Sequence, residues 1–212
     1  MHVKRFFIWA SVFVITVSLC LTAPAQAADH AVVMEAYKAV LQNEVTFYSI
    51  NNKKNYKLNE LKDERNEQLE VKSFAVVDMD SDGMPEVVLD LGGPYYGVLV
   101  LHYEEGNVYG FNTSYTYYLS NDGTYNGSLQ AWYFTYCKVT SITKDTYKVE
   151  TLARVEVEDI EAEGDPFFYI GESKVTKDEH DAFIQSLLES RQENEAVWHD
   201  YTYENIASFF KF

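Results

Sequence analysis

The sequence predicts an α+β fold: an N-terminal helix, an antiparallel β-meander of about six to seven strands, and C-terminal helices. Three observations predict it. Near both ends, apolar residues recur at three- and four-residue spacing, the period of a helix with one buried face. Between about Val71 and Ile170 they fall instead in short β-branched and aromatic runs, broken by Gly, Asn and Asp. The two patterns are segregated along the chain rather than alternating, which favours α+β over a parallel α/β sheet. The 212 residues are 47% hydrophobic and 16% aromatic, ample for a packed core.

Residues 1–27 read as a secretory signal peptide. Lys4 and Arg5 precede an apolar run from Phe6 to Leu21, and Ala25-Gln26-Ala27 supplies the small-x-small cleavage site. The run is shorter than the ~20 residues that span a bilayer, so no membrane span is expected after cleavage. The alternative is a cell-surface lipoprotein anchored through Cys20, but Val17-Ser18-Leu19 lacks the small residue expected before a lipidated cysteine. Residues 28–212 are then one secreted domain. Its only cysteine is Cys137, expected as a buried thiol.

Asp29 is placed to cap a helix from about His30 to Tyr48, with Val33, Ala36, Tyr37, Val40 and Leu41 on one face. Asn51 to Asn55 break the pattern, and Lys57 to Glu70 form a charged connection, a short helix or an exposed loop. Strands are expected at Phe74–Val77, Glu86–Leu89, Gly97–Tyr103 and Val108–Phe111, with a turn at Glu105-Gly106-Asn107. Asn121-Asp122-Gly123 is a further tight turn. Leu129–Val139, Tyr147–Val157 and Phe167–Ile170 complete the meander. Thr176 and Glu179 have capping-box spacing and precede a helix burying Phe183, Ile184, Leu187 and Leu188. Thr202 starts a last short helix carrying Ile206 and Phe209.

The informative motif is Asp78-Met79-Asp80-Ser81-Asp82-Gly83-Met84-Pro85-Glu86. Carboxylates stand at positions 1, 3, 5 and 9, with glycine at 6. A curled loop of this spacing turns hard oxygen ligands toward one centre, and Ca2+ takes six to eight such ligands. The expected metal set is Asp78, Asp80, Asp82, Met84 through its backbone carbonyl, and Glu86. A helix–loop–helix calcium site needs a bidentate Glu at position 12; here that position is Leu89, and the flanks are strand-like. The expected site is therefore a strand–loop–strand hairpin, with Ca2+ structural rather than catalytic.

The stretch from Phe74 to Leu89 resembles the calcium-binding units of the FG-GAP and VCBS repeat families. The resemblance implies the same five ligands. Those families repeat the unit around a propeller, whereas this chain has it once. More widely, the chain resembles a group of secreted or lipid-anchored proteins of clostridia and related Gram-positive bacteria that have no established activity. Tyr169 to Thr176, Trp198 and Thr202 to Ile206 carry that likeness with the loop, and it implies fold and location only.

The formal charge of −16 excludes a phosphate-binding basic face, so no nucleic-acid partner is expected. No His-Glu-x-x-His or Gly-x-Ser-x-Gly motif appears. The expected function is a secreted or cell-surface, non-catalytic calcium-binding domain that engages a surface glycan or protein; the oligomeric state is open. The alternative is a carbohydrate-binding domain using exposed aromatics among Tyr95, Tyr96, Tyr115, Tyr117, Tyr118, Trp132, Tyr133, Phe134 and Tyr136. A glycoside hydrolase using paired carboxylates such as Glu156 and Glu158 ranks below both.

Overall fold

The computed structural model describes residues 23–63, 65–92, 97–113, 115–128, 134–156, 165–192 and 194–211. The expected signal segment up to residue 22, including Cys20, lies outside the described residues, as do 129–133 and 157–164. The class is α+β, as the patterning predicts, with about twice as much strand as helix.

The chain opens with α1 (Ala23–Leu41). Two short strands follow, β1 (Phe47–Ser49) and β2 (Lys54–Tyr56), then a 3-10 turn at Leu58–Glu60. Next come β3 (Ser73–Val77), β4 (Glu86–Asp90), β5 (Val98–Glu104) and β6 (Asn107–Thr113). The second half holds β7 (Tyr115–Leu119), β8 (Thr124–Ser128), β9 (Phe134–Ile142), β10 (Tyr147–Glu156), β11 (Phe167–Ile170) and β12 (Ser173–Val175). It closes with α2 (Lys177–Gln192), β13 (His199–Asp200) and α3 (Tyr203–Phe209). Among the described residues no helix is long and apolar enough to cross a membrane.

The strands form two sheets rather than one meander of six or seven. The first is ordered β13-β3-β4-β5-β6-β1-β2 and the second β12-β11-β10-β9-β8-β7. All neighbours are antiparallel except β1 and β6, which run parallel. That pairing is possible because α1 stops early. Asn43 takes a left-handed φ of 59°, and its side-chain oxygen accepts the Asn59 N–H at 2.8 Å. The β-branched and aromatic residues after it then extend as β1 instead of continuing the helix to Tyr48. At its other end the helix passes through Asp29 from Ala23, so Asp29 is not its cap. β1 closes on β6 where Gly110 leaves room: a Cβ there would lie 2.6 Å from the Phe47 ring.

The first sheet is buried on both faces. Alternate residues divide cleanly between two apolar clusters. Phe74, Val87, Leu89, Leu99 and Leu101 face α1 and α3 and meet Val33, Tyr37, Leu41, Ile206 and Phe210. Ala75, Val88, Val98, Val100 and Phe111 face the second sheet and meet Leu119, Tyr125, Cys137, Val139 and Ile142. Phe111 stacks on Tyr147 with centroids 4.0 Å apart. The helix α2 packs instead on β11, where His180 lies against Phe168.

The predicted capping signals form. The Glu179 N–H donates to Thr176 Oγ1 at 3.3 Å, and the Thr176 N–H to Glu179 Oε2 at 2.9 Å. Thr202 accepts the Asn205 N–H at 3.1 Å and starts α3. Cys137 is buried, and burial pushes its thiol above the usual range.

Candidate metal centre

The aspartate loop spans residues 78–85, between β3 and β4, two strands held in full antiparallel register from Ser73↔Asp90 to Val77↔Glu86. The loop can curl within that short span because Ser81 and Gly83 both take left-handed φ, 62° and 91°. Asp78 organises the curl. Its Oδ1 accepts the Asp82 N–H at 3.1 Å and its Oδ2 the Gly83 N–H at 3.0 Å.

Three of the five expected ligands come together. Oxygen atoms of Asp78, Asp80 and Glu86 all lie within 4.8 Å of one another. Two oxygens on opposite sides of a Ca2+ stand about 4.6–5.2 Å apart, twice the bond length, so this spacing suits that ion. Asp80 gives the sharper sign. Its Oδ2 accepts the Ile142 N–H of β9 at 2.8 Å, while its Oδ1 is buried with no hydrogen-bond partner. A buried carboxylate oxygen without a donor costs free energy that a cation would recover. The donors are hard oxygens, the set expected for Ca2+ or Mg2+.

The Asp82 side chain stands outside that carboxylate cluster. Asp82 is exposed, and its Oδ1 caps the Met84 N–H at 2.7 Å. Partial burial and the neighbouring Asp80 and Asp78 charges raise its carboxyl above the usual range, against the pull of that amide. Met84 is half-buried and packs against the cluster beneath the helices.

Glu86 is fully buried. One oxygen accepts the Met79 N–H at 2.8 Å, and the other meets His102 Nδ1 at 3.0 Å. Burial pushes its carboxyl up to about 7, although the His102 and Met79 hydrogen bonds oppose the shift. Burial works against a charged His102, yet Glu86, Asp80 and Asp82 outweigh it and raise the imidazole above its ordinary value. The surrounding carboxylates thus favour the protonated forms of both groups, and burial adds to this at Glu86.

Sequence reasoning missed His102. The signal was available in the register: β4 and β5 pair from Asp90↔Val98 to Val87↔Leu101, and one step further sets Glu86 opposite His102. Two polar residues at one end of largely apolar strands therefore face each other.

The loop is also pinned to the second sheet. Gly123, in the turn before β8, approaches so closely that a Cβ would lie 1.7 Å from the Met79 carbonyl oxygen. With the Ile142 bond to Asp80, this puts the aspartate loop at the seam between the sheets.

Of the aromatics expected as a sugar platform, Tyr95, Tyr96, Trp132 and Tyr133 lie outside the described residues, as do the side chains of Tyr115, Tyr117 and Phe134. Tyr118 is 52% exposed. Glu156 is held by Arg154 Nε at 2.7 Å, and Glu158 lies outside the described residues. No protein-family model, no curated protein and no solved structure matches the chain.

Proposed function

We propose that the chain is an exported, non-catalytic binding domain whose two sheets are clamped at their seam by Ca2+. Asp78, Asp80 and Glu86 supply the first ligands, and Asp82 and the Met84 carbonyl complete the shell when the ion is bound. The observation that carries this reading is Asp80. One of its oxygens ties the loop to β9, the other is buried and unpaired, and its carboxylate lies close to those of Asp78 and Glu86. A cation held there joins the β3–β4 hairpin to the second sheet, a stabilising rather than a chemical task. Export is supported by the basic, apolar and small-residue order of residues 1–27.

Thermal melting tests the clamp. Extracellular calcium modules bind at ~10⁻⁴–10⁻³ M, so 10 mM Ca2+ is expected to stabilise the domain by about 1.4–2.7 kcal/mol. For a domain of this size that raises Tm by about 3–10 °C over the value in EDTA. Asp78→Asn and Asp80→Ala are expected to remove the increment. Equal melting points in calcium and in EDTA refute the clamp, and an equal shift from Mg2+ refutes its selectivity.

A further inference from the structure

The site at the seam does not end at His102. Cross-strand neighbours continue in one row: His102 pairs with Tyr109 on β6, Tyr109 with Tyr48 on β1, and Tyr48 with Asn55 on β2. Side chains at paired positions share a face, so a polar and aromatic row runs from Glu86 to the sheet's edge. There it opens into a groove of about 510 Å³, within the ~300–1,000 Å³ of small-ligand sites. Tyr48 and Tyr109 form part of its wall, half-buried, edge to face, with centroids 6.1 Å apart and planes at 74°. Asn55 and Asn107 flank them, both exposed, and the β9–β10 turn brings Lys144 and Asp145 to the far side.

We infer that this groove binds a neutral glycan. This rests on the binding-domain reading above and names its ligand. Aromatic faces take the flat C–H faces of pyranose rings, the apolar half of a sugar. The rim amides of Asn55 and Asn107 both give and accept hydrogen bonds, and the Asp145 carboxylate accepts them, matching paired hydroxyls. Charge selects against an anionic glycan: the chain carries −16, and the Lys144 ammonium is already held by Glu105 at 2.6 Å. The groove is also mechanically joined to the seam. The turn bearing Lys144 and Asp145 follows Ile142, whose N–H is bound by Asp80, and the Lys144 N–H is itself bound by Glu104.

Affinity electrophoresis of the whole protein tests the inference, in native gels containing xyloglucan, mixed-linkage β-glucan, galactomannan or xylan, each with Ca2+ and with EDTA. Retardation by at least one of these is expected in Ca2+. Tyr109→Ala and Asn55→Ala are expected to weaken it roughly tenfold, a loss of about 1.4 kcal/mol, and Tyr118→Ala on the other sheet to leave it unchanged. Asn55 is exposed, so its variant keeps the fold even where Tyr109→Ala does not. Unimpeded migration in all four gels overturns the inference, as does retardation that both groove variants leave intact. The calcium reading fails separately: retardation without any melting shift removes the clamp and leaves the groove, and a melting shift without retardation does the reverse.

Discussion

Replacing Gly123 with alanine tests whether the second sheet rests on the aspartate loop. Gly123 sits at φ +73°, and the added methyl would stand 1.7 Å from the Met79 carbonyl oxygen, 2.5 Å from its carbon and 2.7 Å from its Cα. That oxygen distance must double to reach ordinary contact, 3.4 Å. The obstacle is backbone, so no side-chain rotation relieves it. Left-handed φ costs an alanine about 1–2 kcal/mol, and forcing packed elements apart adds about 1–3 kcal/mol. The expected loss is therefore about 2–5 kcal/mol. Gly106→Ala isolates the first contribution, because Gly106 has φ +84° and open space where its Cβ would go. Urea denaturation of both variants in EDTA, with unchanged m-values, gives the difference directly. If Gly123→Ala is no less stable than Gly106→Ala, the contact at the seam is not the close approach described above, and the clamp loses its footing. Because Met79 lies between Asp78 and Asp80, the Gly123 variant is also expected to respond more weakly to calcium.

The buried Glu86–His102 pair predicts the pH response of the protein in EDTA. Both groups hold their proton more tightly folded than unfolded, so the folded state binds more protons and its stability falls as pH rises from about 5 through 7 and beyond. The carboxyls of Glu179 and Asp181 are shifted down, so their contributions change only below that window. Melting points from pH 5.5 to 8.5 check this, and a Tm that climbs with pH contradicts it. Cys137, buried with a raised thiol, is expected to react with a thiol reagent only on unfolding; stoichiometric labelling of the native protein under mild conditions would place it at the surface instead.

The parts of the fold legible in the sequence were those set by local chemistry. Thr176 with Glu179 and Thr202 with Asn205 cap their helices because the partners sit three residues apart. The strands β3, β4 and β5 follow from unbroken β-branched runs, and the turn at Glu105-Gly106 from residues that accept positive φ. The parts that were not legible depend on distant contacts. Nothing local says that Phe47–Ser49 leaves the helix to lie parallel to β6; that depends on Gly110, some sixty residues away, making room for the Phe47 ring. Thr124–Ser128 is too polar and glycine-bearing to announce a strand, yet it pairs with β9 along its whole length. The aspartate spacing marked the loop in which Asp78, Asp80 and Glu86 come together, while Asp82 stands apart. It marked neither His102, which arrives through strand register, nor Ile142 and Gly123, which arrive from the other sheet.

The division of the first sheet's side chains between two clusters has a kinetic consequence. Val87-Val88-Leu89 and Val98-Leu99-Val100-Leu101 are apolar on both sides, so the β4–β5 pair needs two separate covers. The helical cover is partly local, since α1 stands close in sequence to β1 and β3. The other comes from strands β8 and β9, made later in the chain and joined through distant pairings, which form slowly. Until they arrive, a nascent chain presents a sticky β-ribbon of the kind that seeds aggregates. Mutual repulsion between chains of high negative charge then protects the half-built molecule, giving the acidic composition a role during folding distinct from any it has afterwards.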